Sequence, residues 1–184
     1  MSFRKYVGDY RLENVPDKSG RLKTKAVYKG DGYELSASPE DTAAAKPLMI
    51  VCVLLFWAAQ LVALLLNTRC ARCMWVLMPQ AFALLAFGFA SVGAWMFLRA
   101  QAPMTREYAE RMRDRFSGGS FMAMILNGAA LIGAVIAAFL YKDELFIPQD
   151  IVYIAMLTLA QGACVYSFIN RKAADVRAIP SDCE

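Results

Sequence analysis

The sequence predicts an all-α membrane protein, a four-transmembrane-helix bundle with a small cytoplasmic N-terminal antiparallel β-meander. Three observations predict it. Segments 47–66, 74–98, 121–141 and 151–169 are apolar and contain no Asp, Glu, Lys or Arg. A helix rises about 1.5 Å per residue, so about 20 residues cross the ~30 Å hydrocarbon layer. The Lys and Arg residues between these segments are shared out very unevenly. Residues 21–29 alternate apolar or small residues with basic ones, which is a strand pattern rather than a helical one.

The chain has 184 residues, of which 58% are hydrophobic, and its mean hydropathy of +0.38 exceeds that of an ordinary soluble domain. The four segments are apolar all round, with no polar face at helical period, as lipid-facing helices require. The expected organisation is a segment 1–46, a four-helix domain 47–169 and a tail 170–184.

Basic residues set the expected orientation. Residues 1–46 carry nine Lys or Arg, loop 67–73 two, loop 99–120 five, loop 142–150 one and the tail three. Alternate segments therefore carry 17 on one side and 3 on the other. Both termini are expected in the cytoplasm and the protein in the plasma (inner) membrane. The charged N-terminus lacks the early apolar stretch and small-residue cleavage site of a secretory signal. Trp75, Tyr141 and Tyr153 fall at the expected outer boundary, and Trp95 and Tyr166 at the inner one.

In the N-terminal segment, Leu22, Thr24, Ala26 and Tyr28 fall on one face and Arg21, Lys23, Lys25 and Lys29 on the other. Tyr10 and Leu12 alternate with Arg11 and Glu13, and residues 16–20 have turn composition. Asp31-Gly32 before Tyr33-Glu34-Leu35 is a second hairpin signal. A three-stranded meander is expected, with 36–46 as a tether. So few residues bury little core alone, so the sheet needs helix ends, anionic headgroups or a partner protein to lean on.

Loop 99–120 carries a second pattern. Thr105 is placed to cap a helix in which Met104, Tyr108, Met112 and Phe116 recur every four residues, with Arg111 and Arg115 on other faces. A basic amphipathic helix over 104–116, ending at residues 117–120, is expected at the lipid surface or against a soluble partner. Within the third span, Ala129, Gly133 and Ala137 are four apart, and Ala86, Ala90 and Ala94 repeat that spacing in the second. Small residues at this spacing let helix backbones approach, so the second and third helices are the expected tight pair or oligomer contact.

Intramembrane polar residues are few: Gln60, Gln80, Ser91, Asn127, Thr158 and Gln161. The amides among them are expected to bond to neighbouring helices. The chain has no His, and no span contains an ionisable acid or base, which argues against a self-contained proton-coupled transporter. No phosphate loop, dinucleotide motif, metal-ligand set or nucleophile–base pair is present, so neither a cofactor, a metal nor nucleic acid is expected.

Of five cysteines, Cys52 and Cys164 lie in spans as small apolar fillers and Cys183 lies in the tail. Cys70 and Cys73 form a CxxC in the expected outer loop, where a disulfide persists. Arg69, Arg72 and a helix start nearby favour a lowered thiol pKa. With the helix count and orientation, this pair resembles the bacterial four-helix quinone-linked disulfide-generating oxidoreductases, in which an outer CxxC also follows the first span. The resemblance implies thiol–disulfide exchange at Cys70 and Cys73. That family has a second outer cysteine pair between its last two helices, and loop 142–150 here has no Cys.

The leading expectation is a non-catalytic accessory or scaffold subunit of a membrane complex, presenting the β-meander and the basic loop to a partner. A membrane thiol oxidoreductase and an oligomeric small-solute permeation subunit are the alternatives.

Overall fold

The computed structural model describes residues 6–16, 22–141 and 147–179. After a short 3-10 turn, strands β1 (Tyr10–Pro16), β2 (Leu22–Tyr28) and β3 (Gly32–Leu35) precede helices α1 (Pro39–Leu65), α2 (Met74–Arg99), α3 (Arg106–Leu140) and α4 (Ile147–Ile169), and strand β4 (Val176–Ile179) follows. The four helices are long and apolar enough to cross a membrane. Only 33% of the most apolar stretch of each is buried inside the bundle, so most of its side chains form an apolar outer surface. Leu61, Leu85, Phe89, Ile132 and Phe139 all face outward. A surface so broadly apolar suits lipid and would drive aggregation in water.

α1 starts earlier than the expected tether allows. Ser38 caps it, its Oγ accepting the Asp41 N–H at 3.1 Å, and Pro39 occupies the first turn, where its missing N–H costs nothing. Residues 39–46 are therefore helical and run directly into the apolar segment 47–66.

α3 is one helix of 35 residues, about 52 Å long. Thr105 caps it, accepting the Tyr108 N–H at 3.3 Å. The expected stop at residues 117–120 does not occur, and 104–116 does not form a separate surface helix. The glycines there serve packing instead. A Cβ on Gly119 would lie 2.6 Å from Ala90 N, and one on Gly93 2.5 Å from Phe116 N. α2 and α3 thus approach backbone to backbone, as the small-residue spacing predicts.

The β region differs from a three-stranded meander. β1 and β2 pair antiparallel, with Tyr10 opposite Tyr28 and Leu12 opposite Ala26. Their connecting residues, with most of the expected turn, lie outside the described residues. β3 pairs antiparallel with β4 instead, Gly32 opposite Ile179 and Leu35 opposite Val176. Tyr28 closes the turn that separates the two sheets by donating its hydroxyl to Asp31 O at 2.8 Å. Tyr33 and Met104 exchange backbone hydrogen bonds at 2.9 and 2.8 Å, which fixes β3 to the α2–α3 connection.

Three buried clusters stack along the bundle. At the strand end, Met49, Phe97, Met104, Met112 and Phe116 pack under Tyr33, Leu35 and Val176. In the middle, Phe56 stacks on Phe87, ring centroids 3.8 Å apart, beside Ala123, Ala160 and Cys164. At the far end, Val76, Ala134, Ala137, Tyr153 and Leu157 surround Cys70.

Candidate functional site

Three groups of side chains carry polar chemistry. The first runs through the bundle centre. Tyr153 donates its hydroxyl to Gln80 Oε1 at 2.7 Å, and Gln80 Nε2 donates to Gln60 Oε1 at 2.9 Å. Gln60 Nε2 donates to Asn127 Oδ1 at 2.7 Å. Asn127 Nδ2 donates to Leu157 O and to Gln161 Oε1, both at 3.1 Å, and Gln161 Nε2 donates to Met124 O at 3.2 Å. Every donor in this ladder points the same way along it, and all four helices contribute. The amides do bond to neighbouring helices, as expected. Tyr153, placed by the sequence at an interfacial boundary, is instead wholly buried as the first donor of the ladder.

The second group is the α1–α2 loop. Thr68 Oγ1 accepts the Ala71 N–H at 3.1 Å, and Asn67 Oδ1 accepts from Arg72 Nη2 at 2.8 Å. These bonds wind residues 70–72 into a 3-10 turn. Both cysteines are buried free thiols. The Cys70 N–H donates to Asp150 Oδ1 at 3.3 Å, with Asp150 itself buried at the start of α4. Burial, then the Asp150 carboxylate, push the Cys70 thiol up to about 12. The lowered thiol pKa expected from Arg69 and Arg72 is therefore reversed at Cys70, and Arg69 instead stacks its guanidinium 4.7 Å from the Tyr141 ring. Cys73 Sγ donates to Arg69 O at 3.6 Å. No group of three or more metal-ligating side chains occurs among the described residues.

The third group joins the β hairpin to α3. Tyr6 donates its hydroxyl to Glu110 Oε2 at 2.9 Å, and Arg106 Nε donates to Glu110 Oε1 at 3.0 Å. The Arg106 N–H donates to the Tyr28 hydroxyl at 3.1 Å. Partial burial raises the Tyr28 pKa, with the Arg106 amide opposing it. Tyr10 meets the Tyr28 ring edge-on at 5.4 Å. This seats the hairpin on the first turns of α3 while leaving Val7, Leu12 and Leu22 exposed. The sequence signals Glu110 only through its i,i+4 spacing from Arg106.

The remaining site residues separate by position. Met104, Met112 and Phe116 are buried against α2 rather than on an outer surface, while Tyr108 donates its hydroxyl to Met96 O at 2.7 Å. Burial raises the Tyr108 pKa. Arg111 pairs with Glu107, and Arg115 Nη1 lies 3.9 Å from Met96 Sδ. Gly133 sits against Trp75 and Val76, and Ala137 is wholly buried. Ala129, the third member of that spacing, faces outward.

No family model, curated protein or solved structure matches this chain.

Proposed function

We propose that the chain is a non-catalytic, multi-pass protein of the plasma membrane that acts as an accessory or scaffold subunit and offers its β hairpin to a cytoplasmic protein partner. The seating of β1–β2 on α3 carries this reading. A two-stranded hairpin is marginal alone, yet this one is held by the Tyr6–Glu110 and Tyr28–Arg106 bonds. Among the described residues each of its strands is paired on one side only, and Leu12 is 77% exposed. A rigidly mounted strand edge with apolar side chains beside it is the form that strand-addition partners use. The excess of Lys and Arg in the connected segments supports a cytoplasmic position for it.

Thiol exchange fits less well, because a reactive cysteine needs an accessible thiolate and the Cys70 thiol is buried beside a carboxylate. Permeation through one bundle fits less well because Phe56, Phe87, Gln60, Gln80 and Asn127 fill its interior. A photo-crosslinking amino acid at Leu12 of the full-length protein in cells tests the proposal. A discrete protein adduct, weakened when Tyr6→Phe and Glu110→Gln unseat the hairpin, is expected. Adducts to lipid alone, or none, would overturn it.

A further inference from the structure

We propose that the outer groove between α2 and α3 binds one zwitterionic aminophospholipid of the phosphatidylethanolamine type. The inference rests on the membrane reading above. The groove has a volume of about 710 Å³ and is lined by Phe82, Phe89, Met122 and Leu126, with Asp114 and Arg115 at one end. Ala86 and Gly118 leave it open, and a Cβ on Gly118 would meet nothing within 4 Å.

Its polarity matches a lipid in depth and in charge. α3 carries Arg111, Arg113, Asp114 and Arg115, then no Asp, Glu, Lys or Arg from Phe116 to Leu140. Charged residues avoid the hydrocarbon layer, so Asp114 and Arg115 mark the headgroup level. From there the groove follows α3 to Leu126, about 18 Å of helix, close to the depth of one leaflet of a ~30 Å layer. Acyl carbon fits beside Phe82, Phe89 and Met122.

Both signs of charge stand at the mouth. Arg115 offers a guanidinium suited to a phosphodiester, and among the described residues it meets the weak thioether acceptor of Met96 at 3.9 Å. Asp114 offers a carboxylate to an ammonium group. Its contact with Arg113 is long, 3.6 Å, and half exposed, so it competes weakly. An anionic glycerol headgroup would satisfy Arg115 and be repelled by Asp114.

Native mass spectrometry of the delipidated full chain, titrated separately with dioleoylphosphatidylethanolamine, dioleoylphosphatidylglycerol and dioleoylglycerol, tests this. One phosphatidylethanolamine should be retained in preference to the other two. Gly118→Leu fills the groove without touching the α2–α3 contact, so it should keep the wild-type melting temperature and lower that retention roughly tenfold. Met122→Trp, which fills the groove from the next turn, should do the same and replaces Gly118→Leu if the latter misfolds. Arg115→Gln should weaken both phospholipids, whereas Asp114→Asn should erase the preference between them. Equal retention of the three lipids, unchanged retention in both groove-filling variants, or a dimer that those variants dissociate would overturn the proposal. Carbonate extraction of membranes separates the two levels of failure. Loss of the protein from the membrane fraction refutes the membrane reading, whereas a membrane-resident protein without the lipid preference refutes only the lipid site.

Discussion

Gln60 Nε2 donates to Asn127 Oδ1 at 2.7 Å, the two wholly buried side chains reaching across the bundle interior from α1 and α3. An amide in such surroundings has no water to fall back on. Because Gln60 also accepts from Gln80, and Asn127 also donates to α4, this one bond lies at the centre of a ladder linking all four helices. A shift of any helix by one turn would leave several of these groups unpaired. The ladder therefore specifies helix register more than it adds stability.

Asn127→Leu should destabilise the fold by about 1–3 kcal/mol, because Gln60 and Gln161 each lose a partner. Gln60→Leu should cost a similar amount. The double variant should cost less than the two single changes together, since they break a shared bond. Reversible unfolding in mixed micelles measures all three.

Two glycines of α2 should respond oppositely to the same change. Gly93→Ala places a Cβ against the Phe116 backbone and should cost about 1–3 kcal/mol by overpacking. A Cβ on Gly88 meets nothing within 4 Å, so Gly88→Ala should be neutral or stabilising by about 0.5–1 kcal/mol through helix propensity. Thermal melts of the two variants in one detergent provide the comparison.

Removing the Tyr6 hydroxyl should loosen the hairpin without disturbing the helices. Tyr6→Phe deletes the bond to Glu110, worth about 1 kcal/mol. Amide hydrogen exchange across β1 and β2 should quicken several-fold, while exchange in α2 and α3 stays unchanged.

Cys70 should resist alkylation at pH 8 in the native protein and react fully once the chain is denatured, as counted by mass spectrometry. Its folded pKa lies above its unfolded value near 9. As pH rises past that value the unfolded chain loses the proton first, so stability present below it falls between about 9 and 12. Cys70→Ser should remove this part of the alkaline loss.

The four long apolar helices were legible because each contains a charge-free run, and the β1–β2 hairpin because its period of two survives in short sequence. The partner of β3 was not. Val176 to Ile179 is only four residues long, and its pairing with Gly32 to Leu35 depends on tertiary closure across the whole bundle. Gly118-Gly119 reads as a helix stop in local chemistry, yet Gly119 is a contact point for Ala90. The stripe from Met104 to Phe116 was visible, but an apolar stripe looks the same whether lipid or a sibling helix covers it. Gln60, Gln80, Asn127 and Gln161 could be picked out individually as amides within apolar segments. Their order in one ladder could not, because it requires the helix packing. Cys70 and Cys73 stood out by spacing, whereas the buried Asp150 that bonds the Cys70 N–H lies 80 residues further along the chain.

The proposed function requires the hairpin to face the cytoplasm and the Cys70 loop to face outward. Single cysteines at Lys25 and Arg72, each in an otherwise cysteine-free chain, can be probed with a membrane-impermeant maleimide on intact spheroplasts and again after permeabilisation. The proposed function therefore predicts labelling of Arg72→Cys in intact cells and of Lys25→Cys only after permeabilisation. Labelling of Lys25→Cys in intact cells would contradict it.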